Sequence, residues 1–336
     1  MRWKRCAETS VEEIKARLTV RGFLDSAGAE LLTYAGTASR WGQRLVVAVA
    51  CQKRWSMSTA DVGSAFLRSL TFAEMAKLNN EPERKCAFMP PVGYGDFIRK
   101  LPGCSHFDET IHELELLKPI YGLKDAPRAW RRRLHTAMLA LKAENLRTDA
   151  CIYIWRDGNK LVAICSAHVD DLKIAGEPAL VKHILASLSV QFGRLKIVEK
   201  SFEHCGIWHE LQEDGSYHLH QNHFAERMKV PDMTGIPKDV PSQPLTEPQI
   251  AVYQSGLGSL AWLVQTRMDV AIYIQALQRN AKKPTAAHMH RLVCVIKWVK
   301  RKPCFIRYCF LPSDWFKVLV CNDAAFRRED SSGLTN

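Results

Sequence analysis

The stretch SAHVDDLKIAG at residues 166–176 constrains the fold most. It sets two adjacent carboxylates, Asp170 and Asp171, between two short runs of strand character. The preceding run, Leu161-Val162-Ala163-Ile164-Cys165, is apolar and branched enough for a buried strand. The following run, Leu172-Lys173-Ile174, alternates as a half-exposed strand does. The pair therefore belongs at a hairpin tip. Aspartate is common in turns because its carboxylate hydrogen-bonds nearby backbone, and that is the plain explanation. A metal site is the sharper one, since two like charges held this close repel unless a cation lies between them.

Composition narrows the partners. The 336 residues carry 47 Lys and Arg against 35 Asp and Glu, a net charge of +12 that favours a polyanion such as nucleic acid. The longest purely apolar run, Leu45 to Cys51, has seven residues, too few to span a membrane. Eleven cysteines without a CxxC pair and without a leader fit reduced thiols in the cytosol or nucleus. His218, His220 and His223 lack a matching Cys or carboxylate cluster, which argues against zinc.

Along the chain, residues 15–23 (KARLTVRGF) read as a basic strand on which Lys15, Arg17 and Arg21 emerge on one side. Residues 43–55 read as a helix. Asp61 opens a second helical pattern with Val62, Ala65 and Phe66 on one face, and its plain role is an N-cap. Residues 79–107 read as a loop. Pro127 starts an amphipathic helix with Trp130, Leu134, Met138 and Leu141 on its apolar face. Lys124, Arg128, Arg131, Arg132 and Arg133 then form either a solvated face or a phosphate-binding one. Strands over 151–175, a helix over 178–191 and a hairpin over 205–220 turning at Glu213-Asp214-Gly215 follow. Five prolines within 230–248 suggest a linker. Helical stretches at 252–279 and 285–301 and a β-like run from Phe316 to Cys321 complete a mixed α+β order with a helical appendage.

Taken together, the carboxylates have a chemistry. Nucleotidyl transfer by the two-metal route needs about three carboxylate arms around two cations about 3.5–4 Å apart. Asp61 and the 170–171 pair supply those arms if their elements are neighbours in a sheet.

The blocks KARLTVRGF, DVGSAFL (61–67), KPIYGLKDAPRAW (118–130) and HVDDLKIAG (168–176) resemble, in order, those of copia-type retrotransposon reverse transcriptases. YQSGLGSLAWLVQTRMDVAIYIQAL (253–277) resembles the helical region that follows the polymerase there, and LVCNDAAFRREDSSG (319–333) the opening of the attached ribonuclease H domain.

The resemblance implies an α+β right-hand polymerase. Fingers and palm with an antiparallel palm sheet would occupy 1–230, a Pro-rich linker 231–250, a helical thumb or connection region 251–312, and a truncated ribonuclease H stub 313–336. Asp61, Asp170 and Asp171 match the catalytic carboxylates that share two Mg2+ ions. Phe66 matches the residue that crowds the sugar 2′ position, although packing on an apolar face explains it too. Lys15 and Arg17 match the triphosphate-contacting fingers strand, and Gly122 with Lys124 the block beneath the nucleotide. Arg128, Arg131 and Arg132 fall on the expected nucleic-acid surface, as does His168, which stands where the family has an aromatic residue. Gly206 sits in the place of the primer-gripping turn. The implied partners are an RNA template, a DNA primer and dNTPs, with no membrane. Ribonuclease H activity is expected to be absent, because Asp323 alone matches its carboxylates. The other open reading is an inactive nucleic-acid-binding remnant.

Overall fold

The structure is a computed structural model that describes residues 2–5, 12–15 and 17–312. The run Phe316–Cys321, Asp323 and the whole 313–336 segment lie outside the described residues. The chain forms two compact units, one of Met1–Val46 with Met57–Val198 and one of Val47–Ser56 with Glu199–Asn336.

In chain order the first unit contains β1 (Arg2–Arg5), β2 (Glu12–Lys15), the start of α1 (Arg40–Lys53), β3 (Met57–Asp61), α2 (Phe72–Asn79), β4 (Ala87–Phe88), α3 (Gly95–Arg99) and β5 (Leu114–Glu115). It continues with α4 (Ala126–Ala140), β6 (Glu144–Asn145), β7 (Ile152–Asp157), β8 (Lys160–His168), β9 (Asp171–Gly176), α5 (Pro178–Phe192) and β10 (Lys196–Glu199). Six strands form one sheet in the order β10-β3-β9-β8-β7-β6, and the β3–β9, β9–β8, β8–β7 and β7–β6 pairs are antiparallel. Helices α4 and α5 cover one face. Trp130, Leu134 and Met138 from α4 and Ile184, Leu188 and Phe192 from α5 join Tyr153, Leu172 and Ile174 from the strands in one core. Pro127 lies in the first turn of α4, where a missing N–H costs nothing and a fixed φ suits the helix.

Four expectations change here. Residues 15–23 are not one strand: β2 ends at Lys15, and Gly22–Leu24 is a 3-10 turn. The backbone there is bound elsewhere, since Val20 N–H donates to Tyr121 O at 2.9 Å. Asp61 opens no helix. It is the last residue of β3, followed by a short 3-10 turn at Ala65–Arg68, because the run Met57–Ala60 is buried as a strand. Helix α2 was missed although Thr71-Phe72-Ala73-Glu74 is a capping box, with Thr71 N–H donating to Glu74 Oε2 at 2.8 Å. Finally, β9 is buried on both faces from Leu172 to Gly176, and Lys173 is 1% exposed rather than in solvent.

The second unit holds β11 (Phe202–His204), β12 (Ile207–Leu211), β13 (Tyr217–His220), α6 (Asn222–Arg227), α7 (Glu247–Leu263), α8 (Ala271–Arg279), α9 (Ala286–Arg301) and β14 (Ile306–Tyr308). Its sheet runs β11-β12-β13-β14. Tyr253, Leu257 and Leu260 of α7, Ile274 and Leu277 of α8 and Met289, Leu292 and Ile296 of α9 form its core. Ile236 and Leu245 are buried in that core, so part of the proline-rich 230–248 stretch is packed against the helices.

One helix end gives a pH prediction. Thr285 N–H at the start of α9 donates to His288 Nδ1 at 3.0 Å, so the imidazole must stay neutral to accept. Burial, and secondarily the Arg291 charge, hold His288 below its ordinary value of 6.5. The unfolded chain therefore takes up this proton first. The contribution to stability is constant above that value and is lost as pH falls below it. His288→Glu, completing a capping box with an anion in the first turn, should stabilise the chain by about 0.3–1 kcal/mol at neutral pH. It should also flatten the loss of stability as pH falls below about 6.5. Denaturant melts across that range check this; an unchanged pH slope in the variant would contradict it.

Candidate active site

Antiparallel pairing of β3 with β9 places Asp61 directly opposite Asp171, and pairing of β9 with β8 places His168 on the other side of Asp171. Val62 N–H donates to Asp170 O at 2.9 Å, which ties the end of β3 to the hairpin tip. Opposed residues in such a ladder have Cβ atoms about 4.5–5.5 Å apart, and like charges in that relation are destabilising. The 59 and 171 side chains meet as well: the Thr59 hydroxyl lies 2.8 Å from Asp171 Oδ1 and 2.9 Å from Leu172 O.

The tip itself is held in an unfavourable backbone state. Val169 has φ +58°, a left-handed value rare for a β-branched residue, and its carbonyl accepts a 2.6 Å hydrogen bond from the Trp130 indole. Trp130 is 1% exposed and anchored in the core, so the fold over-determines the turn that presents the two acids.

Asp61 and Asp170 line a cleft of about 420 Å³ together with Arg17, Val62, Ser64 and Tyr121. The Arg17 guanidinium lies 4.3 Å from the centre of the Tyr121 ring, and Phe66 packs on the same ring at a centroid distance of 5.0 Å. Phe66 is half-buried and also rests against the main core, beside the cleft rather than in its lining. The site thus unites Asp61, Asp170, Asp171, His168 and Arg17, with Phe66 one ring away.

Other sequence-selected residues are placed differently. Lys15 ends β2. Gly122 has φ +101° and makes a close backbone approach, but to the chain itself: a Cβ there would lie 2.0 Å from Val20 O. Lys124 is exposed and donates to Gly28 O at 3.3 Å. Arg128 sits 4.0 Å from Glu81, and Arg132 is exposed. Arg131 turns inward. Its guanidinium donates to Tyr153 Oη at 2.6 Å, to Cys151 Sγ at 3.3 Å and to Ala150 O, which makes it a clamp between α4 and the β7 end of the sheet rather than a free phosphate-binding cation. Gly206 belongs to the second unit, in the turn between β11 and β12 with φ +74°, and a Cβ there would meet the Trp262 ring at 2.8 Å. Sequence reading missed Arg84, which bridges Asp25 and Asp125 in a largely buried ion triad. No local pattern joins those three positions.

The oxygen-only donor set of Asp61, Asp170 and Asp171 fits a hard divalent cation. Among the described residues no helix is long and apolar enough to cross a membrane.

Comparison with known proteins supplies the family. Residues 2–242 match the family model described as reverse transcriptase (RNA-dependent DNA polymerase). Over 310 residues the chain is 26% identical to the retrovirus-related Pol polyprotein from transposon RE2 of Arabidopsis thaliana, covering 88% of this chain and 20% of that protein. It is 25% identical to the corresponding RE1 polyprotein of the same plant over 88% of the chain, and 23% identical to that of transposon TNT 1-94 from Nicotiana tabacum over 89%. The chain spans about a fifth of the length of these relatives. It belongs to the reverse transcriptase (RNA-dependent DNA polymerase) family, with the copia-type Pol polyproteins of plant transposons as its relatives.

Proposed function

We propose that the chain is an RNA-directed DNA polymerase module that adds dNTPs to a primer 3′-hydroxyl. In this reading the first unit supplies fingers and palm, and the helices of the second supply a thumb or connection region. The observation that carries it is the register pair Asp61↔Asp171 with Asp170 beside it, a concentration of negative charge at one end of the sheet. Asp61, Asp170 and Asp171 would hold two Mg2+ ions, which when bound would activate the attacking hydroxyl and neutralise the leaving pyrophosphate. The remaining roles fall to side chains. Arg17, its guanidinium held over the Tyr121 ring, offers a fixed cation to the triphosphate. Phe66, backed by the same ring, closes the space that a ribose 2′-hydroxyl would enter. Thr59 orients Asp171 through the 2.8 Å contact to Oδ1. The net charge of +12 draws in a template and primer that base pairing, not the protein, reads.

Primer extension on an RNA template with Mg2+ tests the reading. Extension with dNTPs supports it. Salt-sensitive binding of template–primer with no incorporation would favour the inactive remnant instead.

A further inference from the structure

The most unusual residue near the acids is a lysine. Lys173 is 1% exposed, although an ammonium group is almost never fully buried without compensating charge. Strand alternation puts it on the same face as Asp171, two residues away and about 7 Å along β9. Its ladder partners are Thr59 on β3 and Ser166 on β8. The face therefore carries two successive rows, Asp61–Asp171–His168 and then Thr59–Lys173–Ser166, and the Thr59 hydroxyl links them by reaching Asp171 Oδ1. A lysine side chain is long enough to span from one row to the next.

We infer that Lys173 is a built-in counter-charge of the acid site: a positioning residue that offsets part of the Asp61–Asp170–Asp171 charge and so competes with divalent cations for it. The inference rests on the reading of those acids as cation ligands. Two like charges opposed across a ladder need a positive partner. Lys173 supplies one from within the sheet, and a cation entering from the cleft must bind against it. The consequence is weakened cation affinity in the chain without nucleic acid, which leaves occupancy dependent on substrate phosphates adding ligands of their own.

Equilibrium titration of the full chain with Mn2+, without nucleic acid or nucleotide, tests this by isothermal calorimetry. Lys173→Met keeps most of the length of the side chain and removes the charge, and it should tighten Mn2+ binding by about tenfold, because a unit charge at this range acts through a partly desolvated medium. Lys173→Arg, which keeps the charge, should bind Mn2+ like the parent. Asp171→Asn should lose most of the binding. If Asp171→Asn matches the parent, the acid-site reading fails and the inference falls with it. If Asp171→Asn loses binding while Lys173→Met matches the parent or binds more weakly, the inference alone is overturned. Should Lys173→Met not fold, Lys173→Gln takes its place. Failure of both to fold would also overturn the inference, because the lysine would then be a structural requirement rather than a tuning charge.

Discussion

Asp170→Asn should abolish primer extension, with incorporation falling at least about a thousandfold while the chain stays folded. The magnitude follows from what the substitution removes. An asparagine side chain keeps the shape, and the backbone carbonyl that accepts from Val62 N–H is untouched, so β3 and the hairpin tip remain joined. What is lost is one negative charge from a site whose proposed task is to hold divalent cations. Loss of one electrostatic stabiliser aimed at developing charge typically costs about 10²–10³ in kcat, and a ligand shared by two ions costs at least that much. Circular dichroism and thermal melts would confirm folding. Removing a like charge from beside Asp61 and Asp171 should raise stability slightly. Undiminished extension by the folded variant would exclude Asp170 from the chemistry.

Phe66→Ala should relax discrimination against ribonucleotides by about one to two orders of magnitude, the range within which an apolar wall rejects a single extra group. Phe66 touches Tyr121 on one side and the main core on the other, so truncation has two separable effects. The packing effect lowers melting temperature and changes dNTP and rNTP use alike. The gating effect changes only their ratio. Comparing kcat/KM for a dNTP and the matching rNTP in parent and variant separates the two. A ratio that stays constant while stability falls would make Phe66 a core residue.

How far the sequence carried the fold depends on the range of the interaction. The hairpin of β8 and β9 was legible from short strand-like runs on either side of Asp170-Asp171, although the alternation in β9 did not mark a solvent face, and helices α4 and α5 from a 3.6-residue period and a first-turn proline. Asp61 was found as an acid of interest but assigned to a helix start. The strand Met57–Asp61 is too short for its periodicity to outweigh the apolar face of the residues that follow. Its pairing with Asp171, far along the chain, is written in no local pattern. It became an expectation only through the order of the family's blocks.

Charged residues were the least legible. Lys173 and Arg131 both read as solvent-facing, yet one is buried in a central strand and the other clamps Tyr153 and the Ala150 carbonyl. A charge does not by itself say whether it is solvated or paired, because the partner lies elsewhere in the chain. The Arg84 triad went unseen for the same reason. His288 shows the converse: at the third position of a helix start it takes the place of the glutamate in a capping box, a local signal hidden by an atypical residue.

The central claim is that Asp61, Asp170 and Asp171 converge on shared divalent cations. Anomalous diffraction from crystals of the chain holding template–primer and a dNTP and soaked in Mn2+ tests it most directly. The account predicts anomalous density within about 2.0–2.2 Å of carboxylate oxygens from both Asp61 and the 170–171 pair. Well-ordered carboxylates with no such density, or Mn2+ bound only at other residues, would contradict it.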